Sequence, residues 1–217
     1  MIREITFIIS SEKHPINSYI ESWCVEHSND FEIDIIRDPA KSNGGDICFL
    51  ISCNEIVSKD ILDKYEFSLV IHASDLPHGR GWSPHIWSII NGDEEIVISL
   101  LEASRRVDEG DIWKKIRIDV GKYSLNKEII RLINEAHIDL INFAIKNYKD
   151  VNPQPQDKSL TPTYFQKRNP SDSRISVDKT IREQFNLIRI CDPDRFPAFF
   201  ELDGHKFKMI VEKYDDE

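Results

Sequence analysis

Residues 67–84 read FSLVIHASDLPHGRGWSP, a hydrophobic run that passes abruptly into a polar loop containing two glycines. The β-branched and aromatic residues of the first half predict a strand from Phe67 to Ala73. Open α/β sheets bind ligands beyond the carboxyl ends of their strands, which is where this loop would lie. His72 stands at that edge and is a candidate acid/base residue, because imidazoles titrate near physiological pH. The residues alone leave a second interpretation open, a histidine that caps a turn.

The segments on either side alternate between strand and helix patterns. Before the loop, strand patterns cover Glu4–Ser10, Phe31–Ile36 and Asp46–Ser52, and helical spacing follows Pro15 and covers Val57–Tyr65. After the loop come a helix over Trp82–Ile90, strands over Glu95–Glu102 and Ile112–Val120, and a long helix over Asn126–Tyr148. This alternation predicts an α/β fold with an open, mostly parallel sheet and helices on both faces.

The last third of the chain differs from the rest in composition and in its predicted elements. Residues 151–159 are rich in Pro, Gln and Asp and predict a linker. A helix is predicted over Lys179–Ile190, followed by a β-hairpin whose strands, Phe196–Leu202 and Lys206–Lys213, flank an Asp-Gly turn. We therefore expect a catalytic α/β domain at 1–150 and a small α+β extension at 151–217.

Composition excludes several classes of protein. The 217 residues include 28 Lys and Arg against 38 Asp and Glu, a formal net charge of −10, which disfavours a protein that mainly grips nucleic-acid phosphates. No apolar run approaches the roughly 20 residues that a bilayer crossing needs. The N-terminus lacks the pattern of a secretory leader, and the four cysteines form no CxxC pair. We expect a cytoplasmic protein with reduced thiols, no membrane or nucleic-acid partner and no metal site.

Short motifs occur in a fixed order along the chain. Residues 72–77 read HASDLP, 80–84 read RGWSP, 91–92 read NG and 107–111 read VDEGD, and His72 and Asp108 lie 36 positions apart (108 − 72). This order and spacing resemble the signature of the N10-formyltetrahydrofolate-dependent formyltransferases. Tyr164–Pro170 and Phe196–Phe199 are similar to that family's C-terminal motifs, so the resemblance covers most of residues 46–213. The residues of the first two motifs look most similar to those of the sugar N-formyltransferases, in particular those of pseudaminic-acid-type pathways.

The resemblance implies a Rossmann-like fold and a specific reaction. Such an enzyme transfers a formyl group from N10-formyltetrahydrofolate to the amino group of a nucleotide-linked amino sugar, in lipopolysaccharide or other surface-glycan biosynthesis. His72 would act as acid/base or contact the oxyanion, and Asp108 would orient His72 or relay a proton. Taken without the resemblance, Asp108 reads equally as a turn carboxylate.

The resemblance also implies where the ligands bind. Folate contacts map to two loops, with Ser52, Cys53, Asn54 and Ile56 on the first and Ala103, Val107 and Asp108 on the second. The amine would lie near His72, Arg80 and Gly81, and the phosphates of the nucleotide-sugar would reach Lys167 or Arg168. Those two cations could instead belong to a solvated face. The same branch implies a homodimer, with the C-terminal hairpin as the contact.

One position departs from the family pattern. An asparagine that polarises the formyl oxygen usually stands two residues before the histidine, but this chain has Val70 there. Asn54 is a candidate replacement, although it could equally be a residue at the start of a helix. The departure leaves open a catalytically silent relative that binds folate. Within the same family resemblance, a methionyl-tRNA formyltransferase-like enzyme is a second alternative.

Overall fold

The computed structural model describes residues 1–214 and contains one main sheet with two small two-stranded sheets. The strands are β1 Glu4–Ile8, β2 Glu32–Ile36, β3 Gly45–Leu50, β4 Tyr65–His72, β5 Arg80–Gly81, β6 Glu95–Glu102, β7 Ile112–Asp119, β8 Tyr164–Phe165, β9 Ala198–Leu202 and β10 His205–Met209. The α-helices are α1 Ile16–His27, α2 Lys59–Leu62, α3 Pro84–Asn91, α4 Asn126–Asn147 and α5 Ile181–Ile190.

The main sheet has the order β2-β1-β3-β4-β6-β7. Strands β2, β1, β3 and β4 pair in parallel, whereas β6 is antiparallel to both β4 and β7. The prediction of an open, mostly parallel α/β sheet is therefore confirmed. Because His72 is the last residue of β4, it lies at the carboxyl edge of the parallel strands.

The hydrophobic core consists of two clusters, one on each face of the sheet, and consecutive side chains of β1 contribute to different clusters. Phe7 belongs to the larger cluster, which receives apolar side chains from α1, α3 and α4. Its neighbour Ile8 belongs to a smaller cluster on the other face, beneath α2. Successive side chains of a strand face opposite sides, so one strand can serve both clusters. The smaller cluster matters for function because it carries the residues nearest to the predicted folate loops.

Two helices are shorter than the sequence pattern predicts. α2 spans only Lys59–Leu62, since Tyr65 already pairs with Gly45 as the start of β4. α3 begins at Pro84, because Ser83 has the positive φ of 46° and Pro is well suited to a first helical turn. Its end matches the predicted stop signal, with Gly92 at φ 104° donating its N–H to the Ile89 carbonyl.

Residues 151–159 do not form the predicted linker. Ile112 and Gln154 exchange two backbone hydrogen bonds of 2.7 and 2.9 Å, which attaches this segment to the start of β7. Farther on, β8 pairs in parallel with β5. The extension therefore contacts the loop of residues 73–84 that follows β4, which we call the motif loop. Proline-rich composition without periodicity gives no sign of such pairing, because the partner strands lie far away in the sequence.

The predicted C-terminal hairpin forms with the expected turn. Asp203 and Gly204 have φ values of 49° and 80°, as a two-residue hairpin turn of type I′ requires. Strand β10 ends at Met209, earlier than predicted. The four cysteines are all free thiols. Among residues 1–214, no helix is both long enough and apolar enough to cross a bilayer.

Candidate active site

His72 is buried at the end of β4, and each of its ring nitrogens faces a fixed group. Nε2 lies 2.9 Å from the Gly79 carbonyl, which can only accept a hydrogen bond, so the proton resides on Nε2. Nδ1 lies 3.6 Å from Oδ1 of Asp108, too far for a good hydrogen bond. In the neutral ring, the Nδ1 lone pair therefore stands beside a carboxylate. A proton arriving at Nδ1 would complete an ion pair with Asp108.

Asp108 is brought to His72 by the loop between β6 and β7. Its side chain is 7% exposed, and Oδ2 accepts a 2.9 Å hydrogen bond from the Gly81 amide. The residue itself has φ 56°, a left-handed conformation that non-glycine residues adopt at a cost of about 1 kcal/mol or more. The structure thus brings together two side chains that are 36 positions apart in the sequence, with Nδ1 of His72 3.6 Å from Oδ1 of Asp108.

Gly81 can occupy its place only as a glycine. Its φ is 96°, and a Cβ atom there would lie 2.5 Å from the Phe165 carbonyl oxygen of β8. The absence of a side chain lets β5 approach β8 and leaves the Gly81 amide free to bond Asp108. Gly81 therefore contributes a backbone hydrogen bond to the site, whereas the sequence predicted a substrate contact.

Arg80, which the sequence predicted as a substrate contact, forms hydrogen bonds to several groups of the protein. The residue is 6% exposed, and its guanidinium is held inside the protein. Nη1 donates to Glu109 at 2.7 Å and to the Tyr164 hydroxyl at 3.0 Å, and Nη2 donates to Gln156 Oε1 at 2.7 Å. Three of the four N–H groups on Nη1 and Nη2 are used in this way, and Nε is buried without a partner. Arg80 joins the motif loop to the Asp108 loop and to the C-terminal extension.

Gln156 was missed by the sequence analysis. Its Nε2 donates to the carbonyls of Asp108 at 2.7 Å and Gly110 at 3.0 Å, beside the bond that its Oε1 accepts from Arg80. The residue lies in the segment that was predicted as a linker, where one amide side chain among several polar residues carries no signal. Only the pairing of Gln154 with Ile112 places it opposite the Asp108 loop.

The first predicted folate loop follows β3. Ser52 and Asn54 are exposed, and the Asn54 amide donates to Ser10 Oγ at 3.0 Å. No hydrogen bond connects the Asn54 side chain with His72 or Asp108 in the structure. Ile56 is 71% exposed, an apolar side chain offered to solvent. The loop is therefore accessible, and the Asn54 side chain is exposed on it.

The second predicted loop meets the first at Val70. The Ala103 amide donates to the Ser68 carbonyl of β4 at 2.7 Å. Val70, Ala103 and Cys53 all pack against the smaller hydrophobic cluster. The position of the usual asparagine is thus part of an apolar surface that both loops share. Val107 on the second loop is 44% exposed.

The cysteines near this surface are not nucleophiles. Burial raises the pKa of the Cys53 thiol to about 12, and burial raises the pKa of Cys48 further. Both thiols are therefore protonated at neutral pH, and only a thiolate attacks readily. Among the described residues, no group of three or more His, Cys, Asp or Glu side chains is arranged to hold a metal ion.

The two cations proposed for phosphate binding sit over tryptophans of the α3 region. Lys167 is exposed, with Nζ 4.4 Å from the centre of the Trp82 ring. Arg168 is half-buried over Trp87, at 5.9 Å, and its Nη2 donates to Ser173 Oγ at 3.0 Å. Its Nε atom is buried without a partner. Lys167 remains free to meet a ligand, whereas Arg168 is partly committed within the protein.

Three further histidines lie near His72 and were not predicted to matter. The Nδ1 atom of His85 is buried without a hydrogen-bond partner. Burial lowers the pKa of His85 to about 3, and lowers those of His14 and His137 to about 4. Their mutual charge repulsion and the nearby Arg168 and Arg195 add to this effect. At neutral pH these rings are uncharged, so the cluster adds no cation to the site.

A family comparison identifies the fold and the motifs together. Residues 8–142 match the model of the formyl transferase family, which is more than half of the chain. The chain is 28% identical over 168 residues to the methionyl-tRNA formyltransferase of Streptococcus pneumoniae, covering 76% of this chain and 53% of that protein. It therefore spans about half the length of the curated relatives it matches.

Solved structures share the same fold at lower identity. A methionyl-tRNA formyltransferase from Clostridium thermocellum superposes with a TM-score of 0.84 at 22% identity, covering 99% of this chain and 94% of that one. A sugar N-formyltransferase from Shewanella sp. FDAARGOS_354 gives a TM-score of 0.74 at 15% identity, covering 99% of both chains. HypX from Aquifex aeolicus in complex with tetrahydrofolic acid gives 0.79 at 18% identity, covering 97% of this chain and 37% of that one.

The fold, the motif order and the match over residues 8–142 agree. The Rossmann-like architecture and the family resemblance predicted from the sequence are both confirmed, and the chain belongs to the formyl transferase family.

Proposed function

We propose that this protein transfers a formyl group from N10-formyltetrahydrofolate to a primary amine. The observation that carries the proposal is the buried pair of His72 and Asp108 at the carboxyl edge of the sheet. Nδ1 of His72 and Oδ1 of Asp108 are separated by 3.6 Å, and in the proposed mechanism both serve as proton acceptors. An amine can lose a proton to either group.

The reaction needs no covalent intermediate with the protein. The amine nitrogen attacks the formyl carbon, and a tetrahedral oxyanion forms. The amine proton passes to the His72–Asp108 pair, the bond from the formyl carbon to N10 breaks, and N10 receives a proton as tetrahydrofolate leaves. Positioned acid/base groups of this kind contribute about 10²–10⁴-fold to a rate. The ion pair formed on protonation of Nδ1 would stabilise the intermediate.

The folate site is proposed at the two loops that meet over Val70. Exposed Ile56 and Val107 offer apolar surface there, which suits the flat aromatic parts of a folate. The bound tetrahydrofolic acid of the HypX relative supports folate as the donor. The family's backbone contacts would come from residues 52–56 and 103–108. Bound N10-formyltetrahydrofolate supplies the formyl group, and the protein positions it.

For the acceptor we propose the amino group of a nucleotide-linked amino sugar, consumed in surface-glycan biosynthesis such as that of lipopolysaccharide. The net charge of −10 disfavours a long polyanion such as tRNA. The exposed Lys167 beside Trp82 provides one cation and one aromatic face for a nucleotide. The sugar N-formyltransferase among the structural neighbours supports this class of acceptor. Four free cysteines are consistent with a reducing cytoplasm.

A methionyl-tRNA acceptor is the second candidate, favoured by the 28% identity to the Streptococcus pneumoniae enzyme. One experiment separates the candidates. The protein is incubated with N10-formyltetrahydrofolate and either nucleotide-linked amino sugars or methionyl-tRNA, and release of tetrahydrofolate is followed. We expect turnover only with an amino sugar; turnover with methionyl-tRNA alone would reverse the choice of acceptor. Folate binding without turnover on any amine would favour the silent relative that Val70 allows.

We also propose a homodimer formed through the C-terminal hairpin. Phe200 and Phe207 stack with ring centres 5.3 Å apart, and Leu202, Phe207 and Ile210 are exposed nearby. An exposed apolar patch on a hairpin is a typical contact between chains. Sedimentation equilibrium should show a dimer that Phe207→Lys converts to a monomer; a wild-type monomer at micromolar concentration would refute the dimer.

A further inference from the structure

We propose that Gln156 is a positioning residue that holds Asp108 in its catalytic conformation. This inference rests on the proposed formyl transfer and adds a residue from outside the motif region. Gln156 touches neither the formyl carbon nor the amine in this scheme. It acts through the backbone of the loop that carries Asp108.

The loop between β6 and β7 has few internal bonds near Asp108. It is closed at its base by the Glu102 amide, which donates to the Asp111 carbonyl at 2.9 Å. Near its tip, the only backbone bond is a long one of 3.4 Å from the Glu109 amide to the Arg106 carbonyl. Asp108 lies between these bonds with φ 56°. A left-handed residue in a sparsely bonded loop relaxes unless outside contacts hold it.

Gln156 supplies two of those outside contacts. One amide group spans the carbonyls of Asp108 and Gly110, at 2.7 and 3.0 Å, so both N–H groups of Nε2 are used. The antiparallel bridge between Ile112 and Gln154 fixes the register and sets residue 156 opposite residue 110. The backbone pairing therefore delivers the side chain to the loop without any contribution from the motif residues.

Arg80 completes the arrangement from the other side. Its Nη2 donates to Gln156 Oε1 at 2.7 Å, which fixes which end of the amide faces the loop. Its Nη1 forms an ion pair with Glu109, the residue after Asp108, also at 2.7 Å. Three contacts therefore hold Asp108 in place. Gln156 donates to its carbonyl, Arg80 pairs with the side chain of the next residue, Glu109, and the Gly81 amide donates to its carboxylate.

Gln156→Glu tests the two donated hydrogen bonds alone. Glutamate has the same size and keeps the acceptor for Arg80, but it places carboxylate oxygens against two carbonyls. We expect kcat for tetrahydrofolate release to fall about 10- to 100-fold, since misplacing a catalytic group by about 1 Å costs up to that factor. KM for N10-formyltetrahydrofolate should change less than kcat, because the folate contacts proposed at residues 52–56 are on the other loop and are not altered.

Gln154→Glu is the matched control. It makes the same chemical change two residues earlier, where the side chain is exposed and donates only to the Asn152 carbonyl. This variant should keep the wild-type kcat and melting temperature. If both variants lose activity equally, the effect is one of added charge and the positioning role is refuted.

A second readout does not depend on turnover. The Gly81 amide donates to Asp108 Oδ2, so its hydrogen exchange, measured by NMR, reports where the carboxylate lies. We expect this amide to exchange at least about tenfold faster in Gln156→Glu and to be unchanged in Gln154→Glu. If the protein proves to transfer no formyl group, this measurement still decides whether Gln156 positions Asp108.

The outcomes are distinct. A kcat that falls by a larger factor than KM rises, together with faster Gly81 exchange, would support the positioning role. Wild-type kcat together with wild-type Gly81 exchange would overturn it. If Gln156→Glu does not fold, Gln156→Met, which has similar length and no charge, takes its place with the same two readouts.

Discussion

At the scale of single residues, the ring of His72 defines what the site can do. Its Nε2 proton is committed to the Gly79 carbonyl, which leaves Nδ1 as the nitrogen that can accept a proton beside Asp108. The hydrogen bond fixes the tautomer and the plane of the ring. The Gly79 carbonyl thus leaves Nδ1, the nitrogen that the proposed mechanism uses as a base, facing Asp108.

His72→Ala should lower kcat for tetrahydrofolate release by about 10²–10⁴-fold, because the acid/base group is removed. The variant should still fold, since the side chain lies at the sheet edge and its loss leaves the two core clusters intact. Circular dichroism and melting temperature check the fold. His78→Ala, which alters an exposed histidine of the same loop, should keep wild-type kcat; wild-type rates in His72→Ala would refute the site.

Arg80→Lys should destabilise the protein by about 2 kcal/mol, although the charge is kept. A lysine cannot reach Glu109, Tyr164 and Gln156 together, because it lacks the planar fork of the guanidinium. Arg117→Lys is the control, since Arg117 pairs with Glu95 on the exposed surface and such pairs contribute little. Urea denaturation at pH 7 measures both; equal stabilities would contradict the structural role of Arg80.

At the scale of elements, the loop of residues 103–111 decides whether the site forms. It carries Asp108 from the end of β6 back to His72 and is anchored by Arg80 and the C-terminal extension. The motif VDEGD predicted the chemistry of this loop but not its anchors. The anchors on the extension lie in residues 154–164, which reach the loop through pairing with β7 and β5.

Gly110→Ala should prevent this loop from closing. A Cβ atom at residue 110 would lie 1.8 Å from the Glu102 carbonyl oxygen, so the backbone would have to move. We expect a loss of more than about 2 kcal/mol in stability and of most activity. Gly121→Ala meets nothing closer than 4.0 Å and should cost only about 1 kcal/mol for its positive φ. Chemical denaturation and kcat compare the two, and an equal loss in both would contradict the steric argument.

The strand and helix patterns were predictable wherever periodicity was strong. β6 matches its predicted bounds, and α4 differs by one residue at its end. The prediction fell short where a few residues carry an element, as in α2, β5 and β8, because such short segments hold no periodic signal. The two-residue strands exist because they pair with each other, which is a property of the pair.

At the scale of the whole molecule, the buried histidines should make stability depend on acid. His14 and His137 have a pKa of about 4 and His85 a pKa of about 3, against a value near 6.5 in the unfolded chain. Well above pH 6.5 the three histidines are neutral in both the folded and the unfolded protein, so they do not make the free energy of unfolding depend on pH. As the pH falls from 6.5 toward 4, the unfolded chain binds protons that the folded protein refuses, so stability falls.

Urea unfolding at pH 7.0, 5.5 and 4.5 should show this loss, on the order of several kcal/mol across the range. His137→Gln removes one of the three groups and should flatten the dependence on pH, whatever its effect at pH 7. His78→Gln, at an exposed position, should leave the slope unchanged. A slope in His137→Gln equal to that of wild type would contradict the assignment.

The net charge of −10 favoured a small acceptor over tRNA, and the fold does not alter that expectation. The structural neighbours include enzymes of both kinds with similar architecture, so the acceptor depends on side chains around the site rather than on topology. Lys167 and Trp82 are the exposed groups through which this choice can be tested.

The sequence by itself determined the α/β class, the family, the pair of His72 and Asp108 and the departure at Val70, because each is written in local pattern or in motif spacing. Only the tertiary structure decided that Arg80 is held by hydrogen bonds inside the protein and that Gln156 donates to the loop of Asp108. These contacts join segments 29 to 84 residues apart. Local sequence carries no record of such contacts, since they exist only once the sheet has brought the segments together.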